Sequence, residues 1–160
     1  MNKEQLGHLI ISSEDSLYRV AKTLLREDED CADAIQEAIV KAFTSIHTLK
    51  KDAFAKTWLI RILINECYSI MRRQKRIVPF DEVTEKAYAA EAQKDYTGLY
   101  EALLALPDEM RITVTLYYLE GYSVREVAEL LDSTQSTIKN RLARARKRLK
   151  MELESGEEAI

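Results

Sequence analysis

The segment 121–149, GYSVREVAELLDSTQSTIKNRLARARKRL, constrains the fold more than any other part of the chain. Its first part has apolar residues at the helical spacing i, i+3, i+4 and i+7, beginning at Val124. Ser123, with Glu126 three residues later, is the pattern of a capping box at the start of that helix. A polar turn around Asp132 leads into a second pattern with the same period. The segment therefore predicts a helix-turn-helix.

The second helix of this segment has a predicted buried side and a predicted exposed side. The buried stripe consists of Ile138, Leu142, Ala145 and Leu149. Seven basic residues and no acidic one lie between residues 133 and 151, whereas a merely solvated helix mixes both signs. Asparagine pairs bidentately with adenine, and arginine with guanine, so this helix is suited to a DNA major groove. The predicted outward residues are Ser136, Lys139, Asn140, Ala143 and Arg144, with Arg141, Arg146 and Lys147 placed to hold phosphates.

The remaining sequence is also helical in its pattern. One amphipathic helix is predicted to begin at Ser13 or Glu14, a second covers 30–47, and a third, apolar around most of its circumference, covers 54–76. No segment alternates as a strand would, so we expect an all-α fold of two small helical domains. The predicted division is a three-helix domain at 1–78, a linker at 79–97, a domain containing the helix-turn-helix at 98–154, and a tail at 155–160.

Composition limits the possible functions. With 24 basic and 27 acidic residues among 160, the chain cannot coat nucleic acid by bulk charge, so any DNA contact must be local. Residues 1–17 lack the order of a signal peptide, no apolar run reaches membrane-spanning length, and we expect a cytoplasmic protein. Cys31 and Cys67 form no CxxC pair, and His8 and His47 are isolated. We therefore expect buried thiols, no metal, no cofactor and no catalytic centre.

Four motifs occur in a defined order along the chain. They are DAIQEA at 33–38, FAKTWLIRILINECYSIMRR at 54–73, LP at 106–107 and the helix-turn-helix ending in RARKRL. Together they resemble bacterial sigma factors, and most closely the extracytoplasmic-function group of the sigma-70 family, which retains only the second and fourth conserved regions. The resemblance implies a dissociable subunit that directs core RNA polymerase to promoter DNA and promotes strand opening. Members of this group are commonly controlled by an anti-sigma factor.

The resemblance also implies roles for individual positions. Those matching the motif that docks on the coiled-coil clamp of core polymerase are Asp33, Gln36 and Glu37. Those matching the segment that meets the minus-10 element are Phe54, Trp58, Arg61 and Asn65, preceded by the loop 48–53 that receives an extruded base. Arg72 and Arg76 lie close to the same helical stripe and could follow the phosphates. Those matching the minus-35 readers are Lys139, Asn140, Ala143 and Arg144, with Ser136 where glycine is common.

Several alternatives stay open on the sequence alone. Ile64 stands where a polar or small residue is usual and Ser69 where aspartate is frequent, which leaves the minus-10 base preference undetermined. The apolar surroundings of Trp58 favour a core position over a base platform. The predicted polymerase-binding face also fits an ordinary solvated surface. A stand-alone helix-turn-helix repressor or activator is the alternative function, and it would bind symmetric half-sites by itself.

Overall fold

The computed structural model describes residues 1–77 and 98–158. Within these ranges the fold is all-helical and contains no strand, as predicted. The helices are α1 Lys3–Ser12, α2 Glu14–Leu25, α3 Asp28–Thr44, α4 Ala55–Ile77, α5 Gly98–Leu104, α6 Asp108–Val114, α7 Val124–Leu130 and α8 Gln135–Glu158. None of them has the length and apolar character that crossing a bilayer requires. The predicted linker at 79–97 lies outside the described residues.

The N-terminal half, residues 1–77, begins with a helix that the sequence reading missed. The predicted three-helix domain is wrong in this respect, because α1 precedes the helix that begins at Glu14. A capping box between Asn2 and Gln5 starts α1, and its apolar face is short but buries Leu6 completely. The Asn2 and Gln5 pair is a capping signal present in the sequence.

Helix α4 is the centre of the N-terminal half. Its side chains Leu59, Ile60 and Leu63 are fully buried, and both α2 and α3 pack against it. Helix α3 begins two residues earlier than predicted, because Arg26 adopts a left-handed backbone (φ 62°) that turns the chain sharply after α2. It ends at Thr44, and a short 3-10 turn follows at Ile46–Thr48.

The C-terminal half, residues 98–158, surrounds the long helix α8. Helices α5, α6 and α7 all pack against it. Pro107 separates α5 from α6, and α6 continues into a π-helical turn at Thr115–Leu119. Gly121 then reverses the chain with φ 76°, a left-handed conformation that glycine adopts without steric cost. Helix α8 extends nine residues beyond the predicted Leu149, so the predicted tail is helical as far as Glu158.

The two halves pack directly against each other. Helix α2 lies against α6, and α4 lies against α7. Buried apolar side chains form one continuous cluster that includes Leu63 and Leu17 from the first half and Ile112 and Leu116 from the second. The sequence patterns predicted two domains but contained no sign of this contact.

Candidate nucleic-acid interface

The helix-turn-helix has the local geometry that its sequence predicts. Ser123 Oγ accepts the backbone N–H of Glu126 at 3.1 Å, and Glu126 Oε1 accepts the backbone N–H of Ser123 at 3.0 Å, which completes the capping box. Asp132 lies in the predicted turn and takes a left-handed conformation with φ 49°. The Ser133 N–H then donates to the Ala128 carbonyl at 2.8 Å and closes the turn. These bonds determine the direction in which α8 leaves the turn.

The rotational phase of α8 determines which side chains reach solvent. Thr134 Oγ1 accepts the Thr137 N–H at 3.1 Å and caps the first turn of α8. The buried stripe is Ile138, Leu142 and Ala145, as predicted, with Leu149 partly buried. The predicted reading residues Ser136, Lys139, Asn140, Ala143 and Arg144 are all exposed. A face of this composition can enter a major groove without repacking the core.

The positive charge of α8 is largely uncompensated. Among the described residues, Arg141 is the only one of the seven basic side chains that forms an ion pair, with Glu109 at 3.4 Å. Arg146 Nη1 donates to the Tyr118 hydroxyl at 3.0 Å, which holds this arginine toward the π-helical turn. A shallow groove between α6 and α8 is lined by Asn140 and Arg144 together with Asp108 and Glu109. The carboxylates of Asp108 and Glu109 would repel a phosphate placed in this groove.

The predicted minus-10 residues lie at the start and along one side of α4. Phe54 ends the 3-10 turn Asp52–Phe54 with 60% of its surface exposed, which is unusual for a phenylalanine. Trp58 is partly buried and packs against the apolar cluster. Asn65 and Arg72 are exposed. The side chain of Arg76 lies outside the described part of the structure. The exposed ring of Phe54 is therefore available for stacking on a base, whereas Trp58 packs into the core.

Arg61, the remaining predicted minus-10 residue, contacts the other half of the molecule. Its Nη2 lies 2.5 Å from Oδ1 of Asp132, the residue in the turn between α7 and α8. A shallow groove beside this ion pair is lined by Arg61, Arg125, Asp132 and Gln135, among others. The paired residues are 71 positions apart, and no local sequence pattern could have identified them.

The predicted polymerase-binding residues share one exposed face of α3. Asp33, Gln36 and Glu37 are all exposed, and Val40 continues the face with 56% of its surface exposed. Val40 thus adds apolar surface to a stripe that is otherwise polar. Sequence reasoning missed it, although its position seven residues after Asp33 places it at the same helical phase.

An ion pair also attaches α3 to the central helix α4. The Lys41 ammonium binds the carboxylate of Glu66, whose side chain is buried on α4. Gln74 Nε2 also donates to Asp30 Oδ2 at 2.7 Å. A buried carboxylate needs such a partner, because its desolvation is otherwise uncompensated. These bonds hold the exposed face of α3 in a constant orientation relative to α4.

The cysteines and histidines form no reactive centre. Cys31 and Cys67 are buried, as predicted, and burial raises the pKa of their thiols to about 11 and about 12. Thiols with such pKa values stay protonated near neutral pH and are poor nucleophiles and metal ligands. His8 and His47 are exposed. Within residues 1–77 and 98–158, no group of three potential metal ligands occurs.

Comparison with protein families identifies two matched regions in this chain. A family model described as Sigma-70 region 2 matches residues 9–77, which contain α4 and the polar face of α3. A second model, described as Sigma-70, region 4, matches residues 97–149, which contain the helix-turn-helix. The matches fall in the order that the motifs predict.

Curated proteins with similar sequences are RNA polymerase sigma factors. The chain is 30% identical to RNA polymerase sigma factor SigV of Bacillus subtilis over 153 residues, which cover 94% of this chain and 92% of that one. It is 34% identical to the ECF RNA polymerase sigma factor SigM of Mycobacterium tuberculosis, with 83% and 69% covered. It is 28% identical to the ECF RNA polymerase sigma-E factor of Escherichia coli, with 73% and 70% covered.

Solved structures with the same fold include two sigma factors in complexes. One is the sigma factor RpoE from Bartonella quintana in complex with the anti-sigma factor NepR, with a TM-score of 0.75, 22% identity, and 94% of this chain and 98% of that chain covered. The other is CnrH in complex with the cytosolic domain of CnrY, with a TM-score of 0.70, 22% identity, and 96% and 90% covered.

Proposed function

Because this chain belongs to the extracytoplasmic-function sigma factors of the sigma-70 family, we propose that it directs core RNA polymerase to specific promoters and promotes DNA opening. The observation that carries this proposal is the exposed and largely uncompensated basic face of α8 in the region 4 match, combined with the exposed ring of Phe54 in the region 2 match. One face is suited to duplex DNA and the other to an unstacked base.

Helix α8 reads the minus-35 element from the major groove. Asn140 and Arg144 have the side chains that pair bidentately with adenine and guanine, and Lys139 lies beside them on the same exposed face. Ser136 and Ala143 are small, so the helix can approach the base edges closely. Arg141 and Arg146 hold phosphates on either side of the groove, and Arg141 must leave Glu109 to do so.

Helix α4 and the turn before it engage the minus-10 element. Phe54 stacks on a base that leaves the DNA duplex, whereas Trp58 packs into the core of the N-terminal half. Arg61 and Asn65 contact the same strand along α4. Arg72 and Arg76 follow the phosphates toward the C-terminal end of the helix. Stacking and backbone charge stabilise the separated strand without any covalent step.

Core polymerase binds the exposed face of α3. Asp33 and Glu37 supply charge, Gln36 supplies an amide, and Val40 supplies an apolar contact that excludes water. Because Lys41 holds α3 against α4, this docking also orients the minus-10 surface relative to the polymerase.

The proposed function also implies where the protein acts and which partners it binds. The protein acts in the cytoplasm, where polymerase and promoter DNA are found, and contributes specificity instead of a catalytic centre. Its net charge of −3 keeps its affinity for DNA low until polymerase adds its own contacts. An anti-sigma factor that covers the reading faces controls it.

Transcription with purified components tests the proposal. The purified chain is added to sigma-free core polymerase on genomic DNA of the source organism, and the 5′ ends of the transcripts are mapped. We expect a small set of defined start sites that are absent with core polymerase alone. If no promoter is used, while the chain alone protects a palindromic site, the protein is a stand-alone repressor or activator and the proposal is wrong.

A further inference from the structure

One basic side chain of α8 is held by a residue that lies outside the helix-turn-helix. Arg146 Nη1 donates to the Tyr118 hydroxyl at 3.0 Å. Tyr118 belongs to the π-helical turn Thr115–Leu119, between α6 and α7, and half of its surface is exposed. Arg146 is exposed as well. The two polar groups therefore meet at the surface of the C-terminal half.

Two local features hold Tyr118 in place. Its ring lies edge-on to the ring of Tyr117, with centroids 4.9 Å apart and planes at 87°, and Tyr117 packs against the buried apolar cluster. The Glu120 N–H donates to the Thr115 carbonyl at 3.0 Å, five residues back, which closes the π-helical turn. Such turns are rare and frequently occur at functional sites. The Tyr118 hydroxyl is therefore a fixed acceptor for Arg146.

The position of Arg146 on α8 puts it at one edge of the proposed minus-35 face. It follows Lys139 by seven residues, nearly two full turns, so the two side chains have almost the same helical phase. Arg141, five residues before Arg146, lies about 140° away around the helix, at about 100° per residue, and pairs with Glu109. The two arginines therefore lie at opposite edges of the face that enters the groove.

The pair of Tyr118 and Arg146 presents free hydrogen-bond donors. Within residues 1–77 and 98–158, Arg146 has no acidic partner and the Tyr118 O–H has no acceptor. A tyrosine oxygen can accept while its O–H donates, and a guanidinium has five N–H groups. A hydroxyl that accepts from a cation also becomes a stronger donor. A positive charge beside free donors suits an anion, and a phosphate of the DNA backbone is the anion that borders a helix in the major groove.

We propose that Tyr118 and Arg146 form one phosphate clamp at the edge of the minus-35 element. Arg146 supplies the charge, while Tyr118 holds the guanidinium and donates its own proton to the same phosphate. Because Tyr118 already orders the arginine in the free protein, less rotamer entropy is lost when DNA binds. The clamp rests on the promoter-reading function proposed above and adds Tyr118 to it as a positioning residue.

Removal of one hydroxyl tests the role of Tyr118. Tyr118→Phe keeps the ring and removes both the acceptor for Arg146 and the donor to phosphate. Affinity is measured for the holoenzyme, assembled from core polymerase and the full chain, on a fragment that carries a mapped promoter. We expect binding at least about threefold weaker than wild type, by the same factor on intact and altered minus-35 sequences, because a phosphate carries no sequence information. The matched control, Tyr18→Phe, removes an exposed hydroxyl that donates to Asp28 in the N-terminal half, and should bind as wild type does.

A double-variant cycle tests whether the two residues act as one clamp. We expect Arg146→Ala to weaken binding about tenfold, and Tyr118→Phe to have little further effect once Arg146 is absent. Equal affinities of wild type and Tyr118→Phe would overturn the clamp. An equal effect of Tyr118→Phe with and without Arg146 would also overturn it, because the residues would then act independently.

Neutral substitution of the DNA backbone identifies the bound group. Each phosphate in and beside the minus-35 element is replaced in turn by an uncharged methylphosphonate. We expect one position at which wild-type holoenzyme loses affinity and the Arg146→Ala holoenzyme loses none, since its clamp is already missing. Identical loss profiles for the two proteins would overturn the proposal and indicate that Arg146 binds a protein carboxylate instead. Each of these results leaves the proposed function intact, whereas wild-type holoenzyme that binds the fragment no better than core polymerase alone would contradict both the function and the clamp.

Discussion

Helices α4 and α8 carry the two proposed reading faces, yet they are built in opposite ways. Helix α4 is the core of its half, with Leu59, Ile60 and Leu63 fully buried and only a narrow polar stripe exposed. Helix α8 presents most of its surface to solvent and concentrates seven basic residues on it. Duplex recognition needs a protruding charged helix, whereas holding an unstacked base needs a rigid support. Substitutions on the DNA-contacting face of α8 should therefore leave the stability of the fold unchanged. In α4 the proposed DNA-contacting residues belong to the same helix that forms the core, so substitutions there can change both.

The largest effect expected from this contrast is on stability. Leu63→Ala leaves a cavity in the centre of the N-terminal half and should lower the free energy of unfolding by about 2–5 kcal/mol. Arg148→Ala, on the exposed side of α8, should change it by less than about 0.5 kcal/mol. Urea denaturation followed by circular dichroism measures both. Equal losses in the two variants would mean that α4 is not the structural centre.

The next effect is on promoter selection and concerns α8 alone. Asn140→Ala combined with Arg144→Ala removes two base-edge contacts that contribute about 1–3 kcal/mol each. We expect discrimination between intact and altered minus-35 elements to fall at least tenfold, while core binding and thermal stability stay unchanged. Arg148→Ala removes one charge from the same helix and serves as the matched control. If Arg148→Ala loses as much discrimination as the double variant, α8 binds DNA through its positive charge alone and does not read bases.

A smaller effect on stability is expected from the capping box of α7, the helix that packs against α8. Ser123→Ala removes one half of the capping box of α7 and should lower the free energy of unfolding by about 1 kcal/mol. Ser123→Asp keeps an acceptor at this position and should restore the loss. Thermal unfolding measures the difference. An unchanged melting temperature for Ser123→Ala would show that the capping box does not stabilise the support for α8.

The smallest expected effect concerns Tyr122, which belongs to the buried apolar cluster. Among the described side chains its hydroxyl is buried without a hydrogen-bond partner, so Tyr122→Phe should raise the free energy of unfolding by up to about 1 kcal/mol. Burial raises the pKa of Tyr122 to about 12, above its ordinary value of 10.0. The unfolded chain therefore loses this proton first, and wild-type stability should fall as the pH rises from 10 toward 12.

The same fall should be weaker in Tyr122→Phe, because phenylalanine has no proton to lose. Urea denaturation at pH 8, 10 and 11 compares the two proteins. The pH 8 value is the control, since Tyr122 is protonated there in both the folded and unfolded chains. Parallel curves at every pH would indicate that Tyr122 is hydrated in solution.

Local structure was predictable from sequence where local chemistry determines it. The capping box at Ser123, the turn at Asp132 and the phase of α8 all depend on residues within one or two turns of helix. Helix α1 has an equally local signal in the Asn2 and Gln5 capping box, but its apolar face is too short to give a clear helical period. These features follow from side-chain hydrogen bonding and helical period alone.

The contact between the halves was not predictable in the same way. The bond from Arg111 to Thr23 joins residues 88 positions apart, and that from Arg19 to Glu120 joins residues 101 positions apart. A charged residue in a sequence pattern is ordinarily assigned to the surface, so a buried arginine or glutamate gives no local sign of its partner. The roles of the reading residues likewise remain predictions, because base contacts depend on how α4 and α8 dock.

Site-specific cross-linking to DNA tests whether the exposed faces of α4 and α8 contact two separate promoter elements. The photoreactive amino acid benzoylphenylalanine replaces Phe54 in one preparation and Ser136 in another, and each is assembled with core polymerase on a mapped promoter. We expect cross-links roughly 25 base pairs apart, near minus 10 for position 54 and near minus 35 for position 136. Cross-links from both positions within one helical turn of DNA, about 10 base pairs, would contradict it.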